Sequence, residues 1–479
     1  MTTALRGGCM NRLFISAAHK SSGKTTVCIG VCAALRARGL VVQPFKKGPD
    51  YIDPLWLGLA AGRPCYHLDA YLMSQTEIGC ELARRSRGAD LAVIEGNKGL
   101  YDGLDLDGSN SNAALASLIG APVVLVIDAR GMTRGIAPLI LGYQAFDRNI
   151  RIAGVILNQL GGTRHEAKLR AVIEHYTGVP VLGAIQRDER ITIAERHLGL
   201  IPSNEAPAAR ARIDDIAARV AAQVDLDRLL AIARQAAPLP AQPPVPGSAD
   251  VPSVRVGIAR DAAFGFYYPG DLDALQAAGA ELVMFDTLHD TVLPVVDGVF
   301  IGGGFPETQM DALAANRRLL EALQGAIESG LPAYAECGGL MYLARSIAWN
   351  GRSAGMAGVI PADIVMHRRP VGRGYVHLRE TGRGLWPRRE AAAAPVIRAH
   401  EFHYSSVENL APDVEFAYEV ERGHGIDGRH DGIVYKNLLA SYTHLRDVAG
   451  HHWAARFVDF IRGHKARREP TRAFAKILP

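Results

Sequence analysis

The chain has 479 residues and a formal net charge of +4, and 48% of its side chains are hydrophobic. This length exceeds what one hydrophobic core usually organises, so we expect two or three domains. The net charge is too small to indicate a nucleic acid or a membrane as partner, and no apolar run approaches the ~20 residues of a transmembrane helix. Six scattered cysteines with no C-x-x-C pair argue against disulfides and structural zinc, and favour a reducing cytoplasm. The first ten residues contain no apolar signal-peptide core.

The first predicted strand, residues 13–18, leads into a phosphate-binding motif. Residues 19–26 read His-Lys-Ser-Ser-Gly-Lys-Thr-Thr and continue into an apolar helix. The pattern resembles G-x-x-x-x-G-K-[ST] with alanine in place of the first glycine. In such a loop the backbone at Gly23 wraps a phosphate, Lys24 reaches the β and γ oxygens, and the Thr25 hydroxyl contacts Mg²⁺. The strand before and the helix after it favour a nucleotide site over a chance match.

Three further strands of the first half end in polar side chains: 41–45 before the loop 46–54, 91–94 before Glu95, and 152–157 before Asn158. An acid at the position of Glu95 binds Mg²⁺ or its water shell in P-loop enzymes. Asp50 or Asp53 is a second candidate for Mg²⁺, and Asn158 is a candidate for the adenine side. The glycine-rich loop 97–112 is suited to hold a substrate carboxylate. Strands alternating with helices predict a doubly wound parallel sheet with ligands at the strand carboxyl ends.

A proline-rich segment, residues 236–252, divides the chain. Its prolines exclude a helix and stiffen the backbone, so it is predicted to be a semi-rigid linker. The boundaries that follow are a nucleotide-binding domain at 11–235, a second domain at 253–465 and a basic tail at 466–479.

The second domain centres on residues 331–342, which read Leu-Pro-Ala-Tyr-Ala-Glu-Cys-Gly-Gly-Leu-Met-Tyr. We interpret them as a strand, a sharp turn and a helix with Cys337 at the apex. Backbone N–H groups and a helix N-terminus at such a turn lower a thiol pKa and stabilise an oxyanion. The alternative is a buried structural cysteine.

A cysteine nucleophile needs a base, and His444 is the best-placed candidate. It ends the stretch Ser-Tyr-Thr-His at 441–444, after a predicted strand that would fix it. The glycine turn 302–304 offers backbone N–H groups to a ligand. His400 and His403 would point to opposite faces of a strand, which argues against a metal site there.

Together these motifs resemble the cobyrinate a,c-diamide synthase family of glutamine-dependent amidotransferases over nearly the whole chain. The residues that carry the resemblance are 22–26 (Ser-Gly-Lys-Thr-Thr), 48–54 (Gly-Pro-Asp-Tyr-Ile-Asp-Pro), 260–264 (Arg-Asp-Ala-Ala-Phe), 302–307 (Gly-Gly-Gly-Phe-Pro-Glu), 336–341 (Glu-Cys-Gly-Gly-Leu-Met) and 441–445 (Ser-Tyr-Thr-His-Leu). The resemblance implies an α/β protein. Its P-loop domain, an ATP-dependent amide synthetase with a doubly wound parallel sheet, would precede a class I glutaminase-like α/β domain.

The resemblance also implies the chemistry of both domains. Cys337 would attack the side-chain amide of glutamine, His444 would raise its nucleophilicity, and the backbone at Gly303 and Gly338 would form the oxyanion hole. The ammonia would then attack acyl phosphates made from MgATP and the a and c acetates of a cobyrinate-type tetrapyrrole. The implied partners are therefore the tetrapyrrole, L-glutamine and ATP, with a homodimer as a candidate assembly and the cytoplasm as location.

The resemblance, with the motifs above, also implies site residues for the first domain. The ATP-binding residues would be Gly23, Lys24, Thr25, Thr26 and Asn158. The Mg²⁺ ligands would be Thr25, Asp50 and Glu95. The substrate-binding residues would be Lys46, Asp53, Asn97, Tyr101, Asp102 and Ser109.

Two departures from the family pattern leave alternatives open. Lys47 and the pair Asn97-Lys98 add positive charge near the proposed acceptor carboxylates, which suggests sirohaem or nickel-sirohydrochlorin as alternative substrates. Arg446 stands where many class I glutaminases carry a glutamate, so the third member of the triad is unidentified.

Two other functions compete with the amidating enzyme. One is a regulatory P-loop ATPase with an inactive glutaminase domain, and the other is a biotin-pathway-like carboxylate ligase with an unrelated appendage. The joint presence of Cys337, His444 and the glycine turn favours the amidating enzyme over both.

Overall fold

A computed structural model describes residues 10–196, 199–239, 254–387, 396–448 and 450–474. The chain divides into two compact units, Met1–Val245 and Pro246–Pro479. This division falls inside the predicted linker 236–252, of which only residues 236–239 belong to the described part. The predicted basic tail 466–479 is described only as far as residue 474.

The first unit alternates strands and helices. Its strands are β1 (Arg12–Ala17), β2 (Val42–Lys47), β3 (Tyr66–Leu68), β4 (Leu91–Glu95), β5 (Val123–Asp128), β6 (Ile152–Leu160), β7 (Val181–Gln186), β8 (Glu195–Arg196) and β9 (Gly199–Leu200). Its helices are α1 (Lys24–Ala37), α2 (Ile52–Ala61), α3 (Gln75–Arg85), α4 (Asn112–Leu118), α5 (Ile136–Phe146), α6 (Thr163–Tyr176), α7 (Ala209–Gln223) and α8 (Leu226–Ala233), with a 3₁₀ turn at Glu189–Ile191.

The main sheet of this unit has the strand order β3-β2-β4-β1-β5-β6-β7, and each neighbouring pair is parallel. The strands are apolar because helices cover both faces of such a sheet. Helix α1 packs against α7 at Gly30, where a Cβ would lie 2.3 Å from Cγ2 of Val220. The predicted doubly wound sheet is confirmed. The order reverses around β1, so the P-loop lies at a topological switch point, where ligands bind.

The second unit is richer in strands. These are β10 (Val254–Ala259), β11 (Phe264–Phe266), β12 (Ala280–Phe285), β13 (Gly298–Ile301), β14 (Gly303–Gly304), β15 (Ala333–Glu336), β16 (Ala344–Trp349), β17 (Arg352–Gly355), β18 (Ile360–Met366), β19 (Gly372–Glu380), β20 (Ile397–His403), β21 (Ser405–Glu408), β22 (Glu415–Arg422), β23 (His430–Tyr435) and β24 (Leu438–Ser441). Its helices are α9 (Pro269–Ala277), α10 (Met310–Ala315), α11 (Arg317–Glu328), α12 (Gly338–Leu343) and α13 (Trp453–Phe474), with a 3₁₀ turn at Pro306–Gln309.

Three adjacent parallel strands at the centre of this unit position its site. The sheet order is β12-β10-β13-β15-β24-β23-β22-β19-β20. Strand β15 pairs in parallel with β13 on one side and with β24 on the other. The glycine turn follows β13, Cys337 follows β15 and His444 lies three residues beyond β24. Since the carboxyl ends of parallel strands meet at one edge, these residues converge there.

Helices cover this sheet through apolar stripes. Helix α11 buries Leu319, Leu320, Leu323 and Ile327, a spacing that places them on one face. On another part of the sheet Trp453 and Phe457 of α13 pack against Tyr334 of β15. Among the described helices of both units, none combines the length and the apolar character needed to cross a membrane.

Candidate active site

The thiol of Cys337 stands at the turn between β15 and α12. Its backbone has φ 48° and ψ −102°, a sparsely populated conformation that costs about 1–3 kcal/mol. A Cβ on Gly338 would lie 2.9 Å from the nitrogen of Gly304. One on Gly339 would lie 2.1 Å from the oxygen of Ile301, so both positions require glycine. This tight turn presents the thiol of Cys337, a residue that is 7% exposed, in the manner of a nucleophile elbow.

The segment that carries His444 is held on two sides. The backbone N–H of His444 donates to the backbone oxygen of His400 at 2.7 Å, and the backbone N–H of His400 donates to the backbone oxygen of His444 at 3.3 Å. The carboxylate of Asp431 accepts hydrogen bonds from the backbone N–H groups of Tyr442 at 3.1 Å and Thr443 at 3.0 Å. These bonds fix the position of the buried imidazole.

The imidazole of His444 contacts two acidic groups. Its Nδ1 lies 3.3 Å from Oε2 of Glu336, and the ring also hydrogen-bonds to the thiol of Cys337. Burial alone would lower the pKa of His444, but hydrogen bonds to Cys337 and Glu336, together with their negative charge, raise it to about 10. A protonated imidazole stabilises a thiolate and holds a proton for a leaving group. Burial and the charge on His444 lower the pKa of His400 to about 3, so His400 is neutral.

The glycine turn 302–304 lies against this pair. A Cβ on Gly303 would be 2.7 Å from Cε1 of His444, and the last glycine of the turn borders Gly338, as described above. The hydroxyl of Tyr267 accepts a hydrogen bond from the first N–H of the turn at 3.0 Å, which holds the turn in place. The structure therefore brings the predicted oxyanion residues Gly303 and Gly338 into one neighbourhood with His444.

The sequence did not identify a carboxylate partner for His444, and the structure places Glu336 beside it. The available signal was an acid at the end of an apolar strand, directly before the nucleophile. Arg446 occupies the position at which many class I glutaminases carry a glutamate, and its side chain contacts Tyr268 and Asp271. Its guanidinium carbon lies 4.3 Å from the ring centre of Tyr268, and its Nε lies 3.9 Å from Oδ1 of Asp271.

In the first unit, Gly23 precedes α1 with φ 85°, and a Cβ there would lie 2.1 Å from Nδ2 of Asn158. That nitrogen donates to the oxygen of Ser22 at 2.9 Å. Asn158, predicted on the adenine side, thus braces the phosphate loop. Nζ of Lys24 donates to the oxygen of Lys98 at 2.7 Å, and burial, only partly offset by nearby carboxylates, lowers the pKa of Lys24.

An acid cluster formed by Asp50, Asp53 and Glu95 surrounds Thr25 and Lys46. The Thr25 hydroxyl lies 2.7 Å from Oε1 of Glu95 and 3.1 Å from Oδ2 of Asp53. Nζ of Lys46 lies 3.2 Å from the same Glu95 oxygen and 3.5 Å from Oδ2 of Asp50, and it also bonds Asp53. The cluster therefore brings together Thr25 of the P-loop, Lys46 of β2 and Glu95 of β4.

The two aspartates of this cluster differ. Burial, with repulsion from Asp53, raises the pKa of Asp50 to about 7. Burial also acts on Asp53, but the ammonium of Lys46 outweighs it and lowers the pKa of that carboxyl. Oδ1 of Asp50 accepts hydrogen bonds from the N–H groups of Ile52 at 3.0 Å and Asp53 at 3.2 Å, at the start of α2. The aspartate that contacts Thr25 is therefore Asp53, which we predicted for substrate and as an alternative to Asp50 for Mg²⁺. Asp50 contacts Lys46 instead.

Loop 97–112 is closed by a buried lysine. Nζ of Lys47 lies 2.5 Å from the oxygen of Asn110, 3.3 Å from Oδ1 of Asn110 and 3.2 Å from Oδ1 of Asn97. The side chain of Asn112, which is fully buried, donates to the oxygen of Gly99 at 2.8 Å. The predicted substrate residue Asn97 is thus tied to β2 through Lys47.

The hydrogen bonds of the other predicted substrate residues are made outside the acid cluster. The Tyr101 hydroxyl donates to a backbone oxygen of α5 at 2.6 Å. The Asp102 carboxylate accepts a hydrogen bond from a backbone N–H three residues earlier at 2.8 Å. The Ser109 hydroxyl donates to a carboxylate four residues earlier at 3.2 Å. Thr26 lies in the first turn of α1.

Comparison with known families gives both units a relative. Residues 14–201 match the family described as the CobQ/CobB/MinD/ParA nucleotide binding domain. Residues 255–448 match the CobB/CobQ-like glutamine amidotransferase domain. The predicted fold, a P-loop domain followed by a class I glutaminase-like α/β domain, is confirmed.

Individual proteins match along nearly the whole chain. A cobyrinate a,c-diamide synthase of Magnetococcus marinus is 48% identical over 469 residues, which cover 96% of this chain and 99% of that protein. A cobyrinate a,c-diamide synthase of Methanosarcina acetivorans is 40% identical over 494 residues, covering 97% and 98%, and one of Listeria monocytogenes is 38% identical over 438 residues, covering 91% and 96%. The chain belongs to the cobyrinate a,c-diamide synthase family.

Proposed function

We propose that this protein is a glutamine-hydrolysing ligase that uses ATP to amidate the a and c acetate carboxylates of cobyrinate. The observation that carries the proposal is the occurrence, in one chain of this family, of the Cys337–His444 pair and of a P-loop whose Thr25 contacts Glu95. A glutaminase alone needs no ATP, and an ATPase alone needs no thiol–imidazole pair. The combination supports an enzyme that makes ammonia in one unit and consumes it in the other.

Glutamine is the first substrate. The thiolate of Cys337 attacks the side-chain amide carbon, and the negative charge on the carbonyl oxygen is stabilised by backbone N–H groups at Gly303 and Gly338. His444 gives its proton to the departing nitrogen, so ammonia leaves and a thioester remains. Water then attacks the thioester with His444 as base, which releases glutamate and restores the thiolate of Cys337 beside the protonated His444.

ATP activates the second substrate. An acetate carboxylate of the tetrapyrrole attacks the γ-phosphorus, which gives an acyl phosphate and ADP. Ammonia attacks the acyl carbon, phosphate leaves, and an amide with one released proton results. The chain contributes Lys24 at the phosphate loop, a cation that reduces the repulsion between a carboxylate and the phosphates. Lys46 balances part of the negative charge of the acid cluster.

Mg²⁺ fits the oxygen groups around Thr25. Oε2 of Glu95 is buried and has no hydrogen-bond partner in the described part of the chain, so it is available to an ion. Mg²⁺ binds through one or two carboxylates together with phosphates and waters. We propose Thr25, Glu95 and Asp53 as the residues that would hold the ion, with Asp50 in support. The ion would neutralise charge on the β- and γ-phosphates.

Of the two lysines that suggested sirohaem or nickel-sirohydrochlorin, Lys98 is exposed, whereas Lys47 does not favour these substrates. Lys47 is 2% exposed, and its ammonium bonds oxygens of Asn97 and Asn110. Its charge closes loop 97–112 and is not presented at the surface to a different macrocycle. Cobyrinate stays the proposed acceptor because the relatives that match nearly the whole chain are cobyrinate a,c-diamide synthases. The regulatory ATPase is disfavoured because the pair Cys337 and His444 is intact.

We also propose a cytoplasmic homodimer. Helix α5 has no charged residue in its sequence Ile-Ala-Pro-Leu-Ile-Leu-Gly-Tyr-Gln-Ala-Phe, and Leu141 and Phe146 on it are 42% and 76% exposed. An exposed apolar face of this kind suits a symmetric contact between two copies. Free thiols at the cysteines of the described residues support a reducing compartment. Light scattering of the purified protein tests the dimer, and a monomeric mass would contradict it.

One assay tests the proposed function. Purified protein with MgATP and either glutamine or ammonium is offered cobyrinate, sirohaem or sirohydrochlorin, and mass spectrometry counts the amides formed. We expect two amides on cobyrinate with both nitrogen donors. Absence of amidated cobyrinate with either donor would refute the proposal, and amides on only another macrocycle would correct the acceptor.

A further inference from the structure

The carboxylate of Glu336 reaches two groups that lie 108 and 109 residues downstream. Its Oε2 is 3.3 Å from Nδ1 of His444. Its Oε1 accepts hydrogen bonds from the N–H of Leu445 at 3.0 Å and from the hydroxyl of Tyr334. The side chain is 4% exposed. A buried carboxylate with partners on both oxygens is held in one orientation, and its charge faces the imidazole.

Residue 446, where many class I glutaminases carry a glutamate, is an arginine in this chain and contacts residues other than His444. Arg446, two residues after His444, pairs with Asp271 and stacks on Tyr268. Asp271 in turn accepts hydrogen bonds from the N–H of Asp447 at 3.1 Å and the indole of Trp453 at 3.3 Å. This contact anchors the start of α13 at Trp453.

We propose that Glu336 is the positioning carboxylate of the glutaminase site, supplied by the strand that precedes the nucleophile. It holds His444 through Nδ1, so that Nε2 is directed to the thiol of Cys337. The inference rests on the proposed function, because it concerns how glutamine is hydrolysed. It assigns a role to the first residue of the Glu-Cys-Gly-Gly motif that sequence reasoning left without one.

The charge of Glu336 determines the proton affinity of His444. A negative carboxylate at Nδ1 stabilises the imidazolium, which gives its other proton to the departing nitrogen of glutamine, so that ammonia leaves. The ionisable groups that face His444 in the described part of the chain include Cys337 at the elbow, Glu336 at the end of β15 and the neutral His400 on β20. Those that face Glu336 include Tyr334 and Asp271. Removing the carboxylate charge therefore lowers the pKa of His444, and the alkaline limb of glutamine hydrolysis moves to lower pH.

The test compares Glu336→Gln with the wild type, both as full-length protein. Glutamine hydrolysis and ammonium-dependent amidation are measured across about pH 6–10. We expect kcat/KM for glutamine to fall roughly 10- to 100-fold and its alkaline limb to move down by about one pH unit or more. Ammonium-dependent amidation is expected to remain at the wild-type level. The control Arg446→Lys keeps a cation beside Asp271 and should leave the pH profile unchanged.

An unchanged kcat/KM and pH profile in folded Glu336→Gln protein would overturn the proposal. If that variant does not fold, Tyr334→Phe decides the question. This variant keeps the ring stacked on Phe300 and removes only the hydroxyl, which donates a hydrogen bond to Glu336. We expect kcat for glutamine to fall about threefold with KM unchanged, and a wild-type kcat would equally overturn it. If the wild type does not amidate cobyrinate with ammonium, the proposed function is refuted. Glutamine hydrolysis by the wild type and by Glu336→Gln still tests the role of Glu336 in that case.

Discussion

A methyl group at Gly303 tests the geometry of the glutaminase site. The Cβ of an alanine there would lie 2.7 Å from Cε1 of His444 and 3.3 Å from Cβ of Phe266. Non-bonded carbons prefer separations of about 3.5–4.0 Å, so the imidazole must move by about 1 Å. Phe266 cannot give way freely, because its ring packs edge-on against Phe305 at 5.1 Å. Misplacement of a catalytic group by about 1 Å can cost about 100-fold in rate.

The assay separates the two nitrogen sources. In Gly303→Ala we expect kcat for glutamine-dependent amidation to fall about 100-fold, while ammonium-dependent amidation is unchanged. The matched control is Gly325→Ala in α11, where an added Cβ meets no atom within 4 Å. It should retain both activities and be more stable by about 0.5–1 kcal/mol. Full glutamine-dependent activity in folded Gly303→Ala would refute the contact between the glycine turn and His444. A parallel loss of the ammonium reaction would show that the effect is not local.

Three further predictions concern the two half-reactions. Cys337→Ala should abolish glutamine-dependent amidation and leave the ammonium reaction, because only ammonia release needs the thiolate; loss of both would contradict this division. Lys24→Ala should abolish amidation from either nitrogen source, since the phosphate loop loses its cation, and product formation in that variant would contradict the P-loop assignment. Asn158→Ala should raise KM for ATP roughly 2- to 10-fold, the value of one lost hydrogen bond, with glutamine hydrolysis unaltered. Unchanged ATP affinity would show that the bond to Ser22 does not brace the loop.

The backbone of both sites follows from local sequence. An apolar strand, a glycine-containing turn and a helix stand in consecutive order at the P-loop and at the Cys337 elbow, so each motif predicted its own geometry. The alternation of such segments predicted the parallel sheet of the first unit. Those predictions succeeded because the signals lie within about twenty residues of one another along the chain.

The partners of the catalytic side chains depend on strands that are distant in sequence. Glu336 and His444 meet because β15 and β24 are adjacent in the sheet, which no local pattern records. In the first unit, pairing of β2 with β4 brings Lys46 to Glu95, and the start of α2 brings Asp53 rather than Asp50 to Thr25. The chemistry of Cys337 and the P-loop could thus be predicted from the sequence alone. Only the packing of the sheets decides which buried charge lies against which, because a carboxylate's role depends on the groups within a few ångströms of it.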